Sequence, residues 1–134
     1  MKKQNLFLLM AAIGIFPVAL SYGFLPSFLF GVEMNSVEMI NIFRAIMGLY
    51  TAMGIFWLMA AFNSKLTQAG LYSLVAFMGG LSIARILSIN FDGMPNAILL
   101  GYTATELLLA SVAYWFIKQE NDQKQRQEMI AGEA

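Results

Sequence analysis

Residues 82–95, Ser-Ile-Ala-Arg-Ile-Leu-Ser-Ile-Asn-Phe-Asp-Gly-Met-Pro, decide how the chain is organised. This stretch places Arg85 inside an apolar segment that otherwise has the composition of a membrane-spanning helix. A charged side chain at mid-depth in hydrocarbon costs roughly 2.5–3.5 kcal/mol, and less near the interface. Other groups must offset this cost, and the chain offers Asp92, Arg44 and Glu106. Asp92-Gly93 followed by Pro95 predicts a turn.

The composition indicates a small integral membrane protein. Hydrophobic residues make up 59% of the 134 residues and charged residues 12%, against about 45–50% and about 25% in soluble domains. Four apolar runs each approach the ~20 residues that cross ~30 Å of hydrocarbon. We therefore predict an all-α protein, a bundle of four transmembrane helices. The predicted spans are residues 6–25, 38–62, 67–89 and 97–117, which form a domain 1–117 followed by a polar cytoplasmic tail, 118–134, that is either a solvated helix extension or disordered.

Two residue types that carry much of protein chemistry are absent. The chain has no cysteine and no histidine, and its formal net charge is zero. Disulfides, thiolate chemistry, imidazole bases and ordinary zinc or haem sites are thereby excluded. There is also no basic field for nucleic acid. We predict no metal and no cofactor.

The first apolar run follows Lys2 and Lys3 and is interpreted as a transmembrane helix. A cleaved signal peptide is the alternative, but the apolar character continues past Ser21 without a clear cleavage site. Pro17 is expected to kink this helix, because it lacks a backbone donor. Pro26 is expected to end it. The connector 27–37 then places Phe28, Leu29 and Phe30 at the interface.

Two helix faces are expected to mediate packing. In the second span, Asn41, Arg44, Gly48 and Thr51 form a polar and small stripe that should face other helices. Trp57 is expected to anchor the far end of that span in the interface. In the third span, small residues recur at four-residue steps and permit close helix approach, either inside one protomer or between copies of the chain. These residues are Ala76, Gly80, Ala84 and Ser88.

The distribution of basic residues predicts the orientation. The loops and ends on one side of the four-span path contain Lys2, Lys3, Lys65, Lys118, Lys124 and Arg126. The opposite loops contain Glu33, Glu38 and Asp92 and no basic residue. The positive-inside rule then places both termini in the cytoplasm.

The predicted topology brings four charges into the outer half of the bundle. Arg44, Arg85 and Glu106 each lie five to nine residues from the outer end of a span, and Asp92 lies in an outer loop. Asn41, Ser88 and Tyr102 are predicted to complete the pocket. One interpretation is an internal ion-pair network that joins Arg44 to Glu106 and Arg85 to Asp92. A second is a binding site for a lipid headgroup or small anion. A third is catalysis, with Glu106 or Asp92 as general acid or base.

The same residues carry a family resemblance. The pattern comprises Arg44-Ala45-Ile46-Met47-Gly48-Leu49-Tyr50, Arg85-x-x-Ser88-x-x-x-Asp92-Gly93-x-Pro95 and Glu106. Over residues 5–117 it resembles an uncharacterised bacterial membrane family, domain of unknown function 4345, which is similar to the DoxX-like four-helix membrane proteins. The resemblance implies a four-helix bundle in the bacterial inner membrane. Some DoxX-like proteins are linked to thiol or quinone redox chemistry, and a thiol role cannot apply to a chain without cysteine.

These observations favour a binding protein over an enzyme. We expect a binding, transport-accessory or complex subunit whose outer pocket holds a lipid headgroup or small anion. The first alternative is a membrane enzyme that uses Glu106 on a lipid-like substrate. The second is a structural bundle that oligomerises or joins a membrane-protein partner through the Ala76–Gly80–Ala84 face.

Overall fold

The computed structural model describes residues 1–133 of the chain. Its elements are α1 (Lys3–Phe24), α2 (Pro26–Phe30), α3 (Val37–Phe62), α4 (Thr67–Asp92) and α5 (Ala97–Glu133). All of them except the short α2 are long and apolar enough to cross a membrane. The predicted all-α, four-span architecture is therefore confirmed. The helix α5 continues through Glu133, so the polar segment after residue 117 is a helix extension as far as the chain is described.

Pro26 and two glycines shape the connections at one end of the bundle, and a second proline lies within a span. Pro17 lies inside α1, and Pro26 occupies the first turn of α2, where a backbone N–H would have no acceptor within the helix. Gly31 ends α2 at φ 67°, and Gly93 ends α4 at φ 109°, a backbone region that residues with a Cβ rarely adopt. The helix α4 thus ends at Asp92, where the sequence predicted a turn. Phe30 is buried, so its predicted interfacial position is wrong.

The helices pack as two close pairs. The helix α1 packs mainly against α3, and α4 mainly against α5, while α3 and α4 join the pairs. Glycines permit close approaches between helices: a Cβ on Gly54 would lie 2.7 Å from Cγ2 of Ile15, and one on Gly70 would lie 2.6 Å from Cβ of Ala60. The bundle core therefore contains backbone-to-side-chain contacts that no larger residue could make.

The small residues predicted to pack inside the protomer face outward instead. Ala76, Gly80, Ala84 and Gly48 are all exposed, and a Cβ added at either glycine would meet nothing within 4 Å. The buried face of α4 contains Gly70, Leu71, Leu74, Met78 and Ser82. Gly80 lies two residues from Met78, about 200° around the helix. The intraprotomer alternative is wrong, and an interface between copies remains a prediction.

The helix α3, which is the second span, also packs into the bundle through a different face from the one predicted. Tyr50, Gly54, Trp57 and Ala61 form its buried stripe. Asn41 lies nine residues before Tyr50, about half a turn away around the helix, so the polar stripe that begins there faces outward. Trp57 is 0% exposed and donates from Nε1 to Oγ of Ser73 at 3.1 Å. Its predicted role as an interfacial anchor is therefore wrong.

Candidate ligand-binding site

Arg85 and Glu106 form a partly buried ion pair between α4 and α5. Nε of Arg85 lies 2.9 Å from Oε2 of Glu106, and the side chains are 21% and 5% exposed. The two helices run antiparallel from the turn at Gly93. Arg85 precedes the end of α4 by seven residues and Glu106 follows the start of α5 by nine, so both lie roughly 10–14 Å from that end of the bundle. Their similar depth on neighbouring antiparallel helices allows this carboxylate to neutralise this guanidinium.

Two tyrosines extend the pair to the other two long helices. Tyr50 of α3 donates its hydroxyl to Oε1 of Glu106 at 3.1 Å, and Nη2 of Arg85 donates to the Tyr22 hydroxyl of α1. The rings of Tyr22 and Tyr50 stack with centroids 5.2 Å apart. We call Tyr22, Tyr50, Arg85 and Glu106 the polar cluster. One residue from each spanning helix contributes to it, so it fixes the register of the bundle.

Phe30 covers the polar cluster at the end of the bundle where α2 lies. Its ring centroid lies 4.9 Å from that of Tyr22 and 5.9 Å from that of Tyr102. Because hydrogen bonds and ion pairs strengthen where water is excluded, this cover stabilises the cluster. The short helix α2 thus contributes to the site although it spans nothing.

Both ion pairs predicted from the sequence are wrong. Arg44 is exposed, and its Cζ lies 4.8 Å from the centroid of the Phe24 ring, a cation–π contact. Asp92 is exposed and accepts a hydrogen bond from Oγ of Ser88 at 2.8 Å. Arg44 precedes Tyr50 by six residues, about 240° around the helix. It therefore points away from Glu106 although its depth is similar.

Of the remaining predicted site residues, one lies beside the polar cluster and two lie on the bundle surface. Asn41 and Ser88 are exposed on outward faces. Tyr102 lies beside the polar cluster, with its ring centroid 6.1 Å from that of Tyr22 and its hydroxyl 2.9 Å from Oγ of Ser21. The structure thus brings Arg85, Glu106 and Tyr102 together and keeps the other four predicted residues apart from them.

Tyr22, Tyr50 and Ser21 belong to this region and were not predicted. A polar group in a membrane-spanning helix needs a partner inside the protein. Tyr50 lies near the middle of its apolar run, away from the aromatic belts at the helix ends, whereas Tyr22 lies two residues before the end of α1. For Tyr50, that placement is the signal that could have identified it as a partner of the buried charges.

An apolar cavity of about 290 Å³ lies against the polar cluster, between α1 and α5. This volume is at the lower end of the ~300–1,000 Å³ range of small-molecule sites. The hydroxyl-bearing and charged residues in its lining are Tyr50, Tyr102, Thr105 and Glu106. The apolar lining consists of Phe7, Met10, Ala11, Gly14, Ile15, Val18, Met78 and Leu109.

The cavity has a polar end and an apolar end. At the polar end, the hydroxyl of the lining residue Tyr102 contacts Ser21. At the apolar end, the ring of the lining residue Phe7 contacts that of Phe116, with centroids 5.5 Å apart. The lining of α1 runs from residue 7 to residue 18, roughly 16 Å along the helix. Met10, Gly14 and Thr105 are exposed on the bundle surface, so the cavity opens sideways into the hydrocarbon.

A second cavity lies at the opposite end of the bundle and differs in character. Its lining includes Lys2, Lys65 and Lys124, with Glu120 accepting from Lys124 at 3.3 Å. All three lysines are exposed, as expected for side chains at a membrane–water boundary. No residue of the polar cluster reaches this cavity.

The fold and the site together define a multi-pass membrane protein, a four-helix bundle with an ion pair in its interior and a cavity that opens laterally. The chain belongs to the family described as a domain of unknown function (DUF4345), whose model matches residues 4–117. The match includes all four predicted spans and every residue of the polar cluster, and it confirms the resemblance to this family of unknown function. Neither a curated protein nor a solved structure matches the chain.

Proposed function

We propose that this protein binds a small lipophilic molecule in the cavity between α1 and α5. The observation that carries the proposal is the position of Glu106, a carboxylate fixed by two protein donors in the wall of an otherwise apolar cavity. An apolar chamber with a few convergent polar groups is the usual form of a small-molecule site. The lateral opening gives access to molecules already dissolved in the bilayer.

The charge distribution favours an amphipathic molecule over a free anion. Glu106 is the charged residue of the described lining, and its oxygens, like those of an anionic ligand, only accept hydrogen bonds. Arg85, the cation that could attract an anion, is already paired with Glu106 at 2.9 Å. Of the two ligand classes proposed from the sequence, we therefore favour a lipid-like molecule, with an apolar body and a small polar end, over a small anion.

A binding or transport-accessory role is favoured over catalysis. Both oxygens of Glu106 accept hydrogen bonds, from Tyr50 and from Arg85. These donors hold both oxygens of Glu106 in place and leave lone pairs that can accept a further hydrogen bond. This arrangement suits a carboxylate that positions a ligand.

We place the protein in the bacterial inner membrane, with both termini in the cytoplasm and a DoxX-like ancestry. The support is the positive-inside rule applied to Lys2, Lys65 and Lys118, all at one end of the four-span path. The polar cluster then lies in the outer half of the bilayer. A reporter fused after Ala134 that proves to be outside the cell would contradict this orientation.

Gly14→Leu is expected to abolish ligand retention while the bundle stays folded. Gly14 lines the cavity, and a Cβ added there meets nothing within 4 Å. Gly14 is exposed where the cavity opens, so the leucine side chain would block that opening without a clash at its Cβ. Native mass spectrometry of protein released from its own membranes should show a bound mass on the unmodified chain that is absent from the variant.

Gly101→Leu is the matched control. Gly101 is also helical and exposed, a Cβ added there also meets nothing within 4 Å, and it does not line the cavity. This variant should retain the bound mass. Equal retention by the two variants would contradict a ligand site between α1 and α5.

A further inference from the structure

The polar end of the α1–α5 cavity offers hydrogen-bond acceptors and no free donor among the described lining residues. Four lining residues have polar side chains: Tyr50, Tyr102, Thr105 and Glu106. Each hydroxyl has one proton to donate and two lone pairs, and an ionised carboxylate only accepts. Which molecule fits therefore depends on where the three hydroxyl protons point.

The hydroxyl protons of Thr105 and Tyr50 are donated to acceptors that cannot themselves donate. The Thr105 hydroxyl donates to the backbone oxygen of Gly101 at 2.9 Å. The Tyr50 hydroxyl donates to Oε1 of Glu106 at 3.1 Å. Neither a backbone carbonyl nor the salt-bridged carboxylate can act as the donor in these contacts.

The third proton is fixed by the neighbouring serine. Oγ of Ser21 lies 2.6 Å from the backbone oxygen of Val18, which can only accept, so Ser21 donates its single proton there. The 2.9 Å contact between Ser21 and Tyr102 must then use the proton of Tyr102. The three hydroxyl oxygens and the carboxylate of Glu106 are left with lone pairs only.

We propose that the ligand is a neutral lipophilic alcohol whose hydroxyl donates to Glu106 or to an adjacent tyrosine oxygen. The inference rests on the proposed function and narrows it to one ligand class. A carboxylate has about four lone-pair sites, and two on Glu106 are occupied. A cationic donor such as an amine fits less well, because Glu106 is already neutralised by Arg85.

Ketones, esters and ethers are disfavoured by the same geometry. Their oxygen accepts hydrogen bonds, and it would lie against other acceptors in a water-poor cavity. An unpaired buried polar group weakens binding by about tenfold or more. The site therefore selects a donor over an acceptor of the same size.

A pair of isomers tests this selection. n-Decanol and methyl nonyl ether have the same atoms, but only the alcohol donates a hydrogen bond. Their apparent affinities for the full chain in detergent follow from the shift of the thermal unfolding midpoint with concentration. We expect the alcohol to bind about tenfold or more tightly, and Gly14→Leu to remove the shift for both while Gly101→Leu retains it.

The possible outcomes separate the two proposals. Equal affinities that are both lost in Gly14→Leu would overturn the donor inference and leave the cavity as a ligand site. Shifts that persist unchanged in Gly14→Leu would show that neither molecule binds in the cavity, and would overturn the proposed function as well. A retained helical circular dichroism spectrum establishes that each variant is folded.

Discussion

Arg85→Leu is expected to destabilise the bundle by about 3–5 kcal/mol, since it leaves the carboxylate of Glu106 buried without its cation. Glu106 is 5% exposed, and the remaining donor to it is the Tyr50 hydroxyl. Glu106→Leu should have a similar effect, because it leaves Arg85 unpaired. The measurement is the free energy of unfolding by sodium dodecyl sulfate in mixed micelles.

The double variant Arg85→Leu/Glu106→Leu should recover most of the lost stability. Replacing a buried ion pair with apolar residues is often neutral or stabilising, whereas breaking it on one side is not. Arg85→Leu/Asp92→Asn is the matched control and should show no recovery, since Asp92 pairs with Ser88. Additive losses in the first double variant would contradict the coupling of Arg85 to Glu106.

Trp57→Ala is expected to destabilise the bundle by about 3–5 kcal/mol, the range for truncating a buried aromatic residue. Trp57 is 0% exposed, its ring meets that of Phe77 with centroids 6.1 Å apart, and its Nε1 donates to Ser73. The substitution creates a cavity between α3 and α4 and removes that hydrogen bond. The same unfolding measurement applies.

Trp115→Ala is the control for this prediction. Trp115 is 50% exposed on α5, so its truncation should change the unfolding free energy by less than about 1 kcal/mol. If Trp57→Ala lowered the unfolding free energy as little as Trp115→Ala, Trp57 would be an interfacial residue, as its position near the helix end first indicated.

The spans could be predicted because hydrocarbon imposes a single strong requirement. A helix that crosses it needs about 20 apolar residues, and the runs in this sequence satisfy that length directly. Prolines and glycines marked the ends: α1 ends before Pro26 and α4 ends at Gly93. Neither inference needed knowledge of which helices touch.

The partner of each arginine could not be predicted, because the sequence shows how deep a residue lies in the membrane but not which way its side chain points. Arg44 and Arg85 are at similar depths, and the polar and small stripe that contains Arg44 indicated the wrong face of its helix, because most of that stripe is exposed. The buried stripe of α3 was instead determined by Gly54 and Trp57, which pack against neighbours. Only tertiary contacts separate a paired arginine from one at the bundle surface.

The cavity lay beyond sequence reasoning for a related reason. Its walls come from residues far apart in the chain, such as Gly14 and Leu109, and its existence depends on α1 and α5 not packing closely. The identity of Glu106 as a site residue was accessible, because a carboxylate within a span needs a reason to be there. The contact of Tyr22 with Arg85, by contrast, became clear only from the assembled bundle.

Photolabelling with a long-chain alcohol tests most directly whether this cavity binds a lipophilic donor. The alcohol carries a diazirine at the end of its chain remote from the hydroxyl. If the hydroxyl binds at Glu106, the label should attach near Phe7 and Met10 of α1 or Phe116 of α5, and Gly14→Leu should abolish the labelling. Labels spread over the outward faces of α3 and α4, or unaffected by Gly14→Leu, would contradict the account.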